Sequence, residues 1–232
     1  MKQFLILLFT VFTLASCDYT SGSGNIVTET RKTESFDAIS VGGSFEVEIK
    51  TGDVTSVVVE ADDNIMKYIK TTVSGNTLKI NTEDMHNYSD VHMKVIITAP
   101  SVTSIKASAS AEIVADNILT GSKLTFKASS SSSIKAEVNA PEIETDASSS
   151  ATITLRGKTK NYDAQASSSA NINSFELLSE NTTAKVSSSA DIQVHASVTL
   201  NAKASSSGSI DYKGAATVNK SESSSGSVEK KD

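Results

Sequence analysis

The side chains able to do chemistry are few: one cysteine, three histidines, scattered carboxylates and forty serines. Cys17 follows Leu14-Ala15-Ser16, an aliphatic residue and two small ones, and this arrangement resembles the bacterial lipobox, in which the cysteine is acylated and becomes the mature N-terminus. His86 and His92 lie among carboxylates in Asp84-Met85-His86-Asn87-Tyr88-Ser89-Asp90-Val91-His92. Binding a metal there requires the segment to fold back so that both imidazoles and an aspartate converge, which this spacing does not enforce. The expectation is therefore a solvated loop, an isolated exposed His195, and no metal. Asp62 and Asp63 are adjacent and read as the capped start of a helix. Asp146, Asp163, Asp191 and Asp211 fall at unlike phases, so no acid/base pair is imposed. No Gly-x-Ser-x-Gly elbow is present, and Ser21-Gly22-Ser23-Gly24-Asn25 precedes no helix that could cradle a phosphate. These residues predict a non-enzymatic protein without a cofactor. The competing reading is a carbohydrate-active enzyme, a polysaccharide lyase or hydrolase, with carboxylates gathered on one outer face.

What must position Cys17 is the leader before it. Met1-Lys2-Gln3 is cationic, and residues 4–14 are an apolar stretch too short to span a bilayer comfortably, so residues 1–16 read as a lipoprotein signal peptide. Acyl chains on Cys17 would anchor the protein at about 0.8 kcal/mol per buried methylene. Residues 17–24, small and polar, read as a flexible tether. Across its 232 residues the chain carries a formal charge of −6 and no tryptophan. That balance offers no grip on nucleic acid, and it leaves the lipid as the route to a membrane. With one cysteine there is no internal disulfide.

The serines are not a linker, because they recur in register. Lys106–Ile113, Lys127–Ile134, Asp146–Ile153, Gln165–Ile172, Lys185–Ile192, Lys203–Ile210 and Ser221–Val228 align as one motif, with start-to-start spacings of 21, 19, 19, 20, 18 and 18 residues. A period near twenty marks a solenoid of stacked coils. Around each motif the parity alternates: Ile143, Thr145, Ala147, Ser149, Ala151, Ile153 and Leu155 are small or apolar, and the residues between them are polar. The predicted fold is all-β, a right-handed parallel β-helix with about 18–21 residues per coil, irregular N-terminal coils and one short helix. Its spine is a column of isoleucines ending in Val228, with one inward serine per coil at Ser130, Ser149, Ser168, Ser188 and Ser206. The outward columns are Ser148, Ser167, Ser187 and Ser205; Ser150, Ser169, Ser189 and Ser207; and Thr152, Asn171, Asp191 and Ser209. Such a hydroxyl-rich face could hold a glycan or an envelope protein, or serve only as a soluble wall.

The domain limits follow. Residues 25–228 form a single unit, with irregular coils over 25–100 running directly into serine-rich coils over 101–228, and a charged, frayed tail at 229–232. Asp62–Lys70 is the one helical stretch, with Ile65, Met66 and Ile69 on one side. Lys220 and Glu222 replace inward alanines in the last coil, as suits an open end meeting water.

Gly24-Asn25-Ile26-Val27 with Arg31, Phe36-Asp37-Ala38-Ile39, Gly43–Ile49, Gly52-Asp53, Val57–Ala61 with Asn64, Leu78-Lys79-Ile80 and Val95–Pro100 together resemble the GIN-domain family of autotransporter-adhesin head domains. The resemblance spans nearly the whole chain after Cys17. It implies a β-helical lipoprotein of the bacterial cell envelope, of the Bacteroidetes type, at the outer membrane on its periplasmic face or at the cell surface. It implies no catalytic residue and no particular ligand.

Overall fold

The computed structural model describes residues 19–83 and 87–232. They are 64% strand and 2% helix, wound as a β-solenoid of about seven turns. Successive coils pair in parallel. The long strand Ser133–Ala147 stacks on Thr152–Ala166 from Ser133↔Thr152 to Ala147↔Ala166. Each coil has two walls joined at one edge by the serine run. At the other edge the phase slips by one residue: Ala140 and Ile143 both face inward, with Pro141 and Glu142 outside between them.

The aliphatic spine holds and is longer than the serine motif. Val95, Val47, Ile113, Ile134, Ile153, Ile172, Ile192, Ile210 and Val228 stack in unbroken register, all buried. Each such side chain removed from water contributes roughly 1.5–3 kcal/mol, so the column keeps the coils in step. Inward polar groups are satisfied locally, as buried groups must be. The hydroxyls of Thr145 and Tyr162 lie 3.1 Å apart, and Ser174 donates to the Gln193 carbonyl at 2.6 Å.

The inward serines are a correction. Ser130, Ser149, Ser168, Ser188 and Ser206 are all exposed, while Ala147 and Ala151 remain inside. The run is a corner, not a strand. Its two central residues take the left-handed conformation in every coil, with φ between +46° and +62° from Ser130-Ser131 to Ser224-Ser225. That swings the middle of the run outward and returns both flanking alanines to the core. Non-glycine residues resist this conformation by roughly 1–2 kcal/mol each, and a ladder opposes that cost. The amide of Ser131 donates to the carbonyl of Ser149, Ser150 to Ser168, and Ser207 to Ser224, each at 3.0 Å.

The first half of the chain also departs from expectation. The coil Ala38–Gly42 and Glu46–Thr51 is followed in space, not in sequence, by Ser104–Ser108 and Glu112–Ala115. Between them the chain passes to the far side of that coil. There Thr77–Thr82 and Met93–Ala99 add one more parallel rung. Antiparallel strands then finish the end: Ile69–Ser74 pairs with Thr77–Thr82, Ser56–Asp62 with Met93–Ala99, and Ile26–Arg31 with Ser56–Asp62. Residues 52–103 are therefore a cap inserted between two coils, which covers one open sheet edge.

The helix is shorter than read, Asp63–Met66, with Ile65 and Met66 buried and Ile69 already in the next strand. Asp62 does not cap it. Its buried carboxylate accepts the amides of Gly24 and His92, both at 2.7 Å, and so ties the N-terminal segment to the cap. Asp63 accepts from the Ser23 hydroxyl at 2.6 Å and from Asn25 at 2.9 Å, and these two bonds, Ser23 first, hold its carboxyl below the ordinary range. The tether expected over 17–24 is thus docked from Tyr19 onward, where Tyr19–Ser21 pairs with Asn87–Ser89.

At the opposite end, Lys220 stacks on Ala202 and Glu222 on Ala204. Glu222 accepts the Val228 amide at 2.7 Å and the Lys220 ammonium at 3.2 Å, which closes the last coil with a polar clasp. The tail is ordered rather than frayed. Ser227–Lys230 is a strand, and Lys231 pairs with Asp211 at 3.3 Å and with Glu229 at 2.7 Å.

Candidate functional site

One wall of the solenoid gathers the side chains best suited to binding. In the strand leading into each serine corner, inward residues alternate with outward ones, and parallel register stacks the outward ones into columns. The first column runs Glu142, Asn161, Asn181, Thr199; the second Glu144, Asp163, Thr183, Asn201; the third Asp146, Gln165, Lys185, Lys203. Amides bond along the columns. Asn181 donates to Asn161 at 3.2 Å and accepts from the Thr199 hydroxyl at 2.8 Å. Shallow depressions of about 400, 220 and 160 Å³ follow one another along this wall.

Charge on the wall is graded. Glu142, Glu144 and Asp146 make one coil acidic, with Lys123 and Lys127 as register partners on the coil before, and Glu144 is held by Lys123 at 2.5 Å, whose ammonium pKa this hydrogen bond raises. Two and three coils further on, Lys185 and Lys203 sit in register, with Asp163 diagonal to Lys185 in the neighbouring column. Glycan ligands present hydroxyls and acid groups, and this wall presents amides, hydroxyls and ammonium groups to meet them.

The second wall carries a larger groove of about 610 Å³, lined by Val114, Glu137, Arg156, Asn173 and Phe175 among others. Within it Arg156 meets Glu137 at 2.8 Å and Asp116 meets Lys50 at 3.5 Å, with Lys135 and Glu176 also in the lining, and Lys213 lies 5.1 Å from the centre of the Phe175 ring. Phe175 sits in the turn after Asn171–Ser174, where the twenty-residue coil carries its extra residue.

The residues singled out from sequence are distributed around the corner instead of lying on one flat face. Ser148, Ser167, Ser187 and Ser205 close the polar wall. Ser150, Ser169, Ser189 and Ser207 occupy the left-handed turn, and Thr152, Asn171, Asp191 and Ser209 begin the next wall. Sequence reading passed over Asn161, Asn181, Thr183 and Asn201. Their signal was the same alternation that located the core, read on its outer phase. Cys17 and His86 lie outside the described residues, and among the described residues no three His, Cys, Asp or Glu side chains gather as metal ligands. His92 contributes its backbone amide to Asp62, and the partly exposed His195 stacks beside Lys213.

No curated protein matches the chain. Among solved structures it is similar to a putative adhesin from Bacteroides fragilis, with a TM-score of 0.84 and 21% identity over 91% of this chain and 98% of the other. A putative lipid binding protein from Parabacteroides distasonis gives 0.78 at 21% identity over 93% and 100%, and a putative adhesin from Parabacteroides merdae gives 0.73 at 21% over 93% and 100%. At these identities the likeness shows the fold, and none of the three names denotes an enzyme. The family model described as putative auto-transporter adhesin, head GIN domain, matches residues 35–216. With its capped solenoid and that match across most of its length, the chain belongs to the adhesin-head GIN-domain family.

Proposed function

We propose that the protein is a lipid-anchored, non-enzymatic module of the bacterial cell envelope that displays its polar wall for adhesion or scaffolding. The observation that carries this reading is the wall itself: outward amides, hydroxyls and charges stacked coil on coil over a core that keeps them in place. A solenoid repeats one weak contact many times, which suits a long or repetitive partner. Family membership supports surface association. Leu14-Ala15-Ser16-Cys17 supports acylation at Cys17.

Two experiments test it. Cys17→Ser should abolish metabolic labelling by palmitate and release the protein from the membrane fraction; labelling that persists refutes the anchor. The purified protein, set against glycan arrays and envelope extracts, should capture a ligand that the triple variant Asn161→Ala, Asn181→Ala, Asn201→Ala loses. Polysaccharide cleavage abolished by a single aspartate substitution would establish the enzymatic reading in its place.

A further inference from the structure

The third column of the wall holds two lysines with no counter-charge. Lys185 and Lys203 are register partners in adjacent coils, so their backbones are about 4.8 Å apart. Like charges at that spacing repel. Neither enters an ion pair among the described residues, in contrast to Lys123 on the same wall, which pairs with Glu144. The column continues to Gln165 on one side and Ser221 on the other. Within the strands, Thr183 and Asn201 precede the lysines by two residues and Ser187 and Ser205 follow by two. The nearest carboxylate in the column is Asp146, two coils from Lys185. Further along the same column Lys106 stacks on Lys127, and there Asp146 is the next register partner, whereas next to Lys185 and Lys203 the column offers only Gln165 and Ser221, with Asp163 diagonal to Lys185 in the neighbouring column.

We propose that Lys185 and Lys203 form an anion-reading centre and that the wall selects an acidic glycan, one uronate carboxylate lying between the two ammonium groups. This rests on the wall being the binding face. The open depression of about 400 Å³ is lined by both lysines with Ser167, Ser187 and Ser205, and by Asp146 at its far side, so donors for a carboxylate gather at the lysine end of one space. The rise of one coil is close to the length of a pyranose unit, so neighbouring sugars meet neighbouring coils and offer their hydroxyls to Thr183 and Asn201. The acidic coil at Glu142, Glu144 and Asp146, two coils from Lys185, is the side the carboxylate turns away from, which sets the direction in which the chain lies. The outward side chains of this wall are uniformly polar from Glu142 to Lys203, which favours a sugar over an acyl chain.

The test is calorimetric titration of the purified protein with oligogalacturonate, with its methyl ester as the neutral match, and with phosphatidylglycerol vesicles. Oligogalacturonate should bind and the ester should not, and added salt should weaken the binding. Lys185→Gln or Lys203→Gln should each weaken it at least about tenfold, with far-ultraviolet circular dichroism unchanged because both side chains are outside the core. Equal binding of acid and ester would overturn the lysine assignment while leaving the wall as the glycan face. No binding of either would overturn both, and binding of vesicles alone would replace the glycan with a lipid surface.

Discussion

Val186 and Gly208 form a compensating pair whose coupling can be measured. Between Ala107 and Ala204 the column holds Ala128, Ala147 and Ala166, and only position 186 in that stretch carries a larger residue, which is buried. After each corner the chain resumes with Ala151, Ala170 and Ala190, yet one coil above Val186 it has Gly208. A Cβ on Gly208 would lie 3.0 Å from Val186 Cγ1, with the Ser187 nitrogen and Ser205 oxygen each at 3.1 Å. Gly208→Ala should therefore be overpacked at a cost of about 1–3 kcal/mol. The smaller denatured-state entropy of alanine returns about 0.4–1 kcal/mol, which leaves a net loss of about 1 kcal/mol. Val186→Ala removes two buried methyl groups and should cost about 2 kcal/mol. In the double variant the new methyl group enters the vacated space, as in the coils with alanine at both places, so the combined loss should fall short of the sum by about 1 kcal/mol. Urea titrations of the four proteins, followed by circular dichroism and compared in midpoint and slope, measure that coupling. Gly226→Ala is a control, because its Cβ would meet backbone, 2.4 Å from the Ala204 carbonyl carbon, and truncating a side chain relieves nothing. A coupling below about 0.3 kcal/mol would refute the compensation argument.

Three further outcomes follow from the same geometry. Burial pushes the Tyr162 phenol from 10.0 up to about 12, opposed by hydrogen bonds to Ser174 and Thr145. The neutral ring thus stabilises the fold fully below pH 10, and roughly 2–3 kcal/mol is lost as pH rises from 10 toward 12; Tyr162→Phe should flatten that alkaline loss in thermal melts, and an unchanged profile would contradict it. Gly157 has φ +123°, and a Cβ there would come within 2.0 Å of the Val138 carbonyl oxygen, so Gly157→Ala should cost more than about 3 kcal/mol or prevent folding, as read from its urea midpoint or its yield of folded protein. The Val228 amide, and secondarily Lys220, holds the Glu222 carboxyl below its ordinary pKa, so the clasp is intact above the usual carboxylate range and lost as pH falls through it; Glu222→Gln should speed hydrogen exchange at Val228 at neutral pH while leaving Ile172 protected, and unchanged exchange at Val228 would dismiss the clasp.

The regular coils were legible because two periodicities coincide there. The twenty-residue repeat set the coil, and the two-residue alternation set inside and outside; together they placed Ile134, Ile153 and Ile172 in one buried column. Alternation failed at Ser149 because parity tracks orientation only while the backbone stays extended, and two left-handed residues in succession reverse the chain without leaving a mark in polarity. The binding wall was half legible. Asn161 and Asn181 occupy the outer phase of the strands already identified, but their stacking depends on which residues of successive coils meet.

The insertion of residues 52–103 behind the first coil had no local signature. Strands such as Ser56–Asp62 and Thr77–Thr82 show the same alternation whether they pair in parallel or antiparallel, because side-chain phase is set within a strand and direction is set between strands. The sequence by itself determined the repeat, the aliphatic spine, the outward chemistry of each coil and the polar ending at Lys220 and Glu222. Tertiary structure decided what no single segment contains: the left-handed corners held by amides of the next coil, the reversed strands that cover one sheet edge, and the meeting of Lys185 with Lys203. Each of these arises from pairing between residues distant in the chain, whose energy exists only once the coils are stacked.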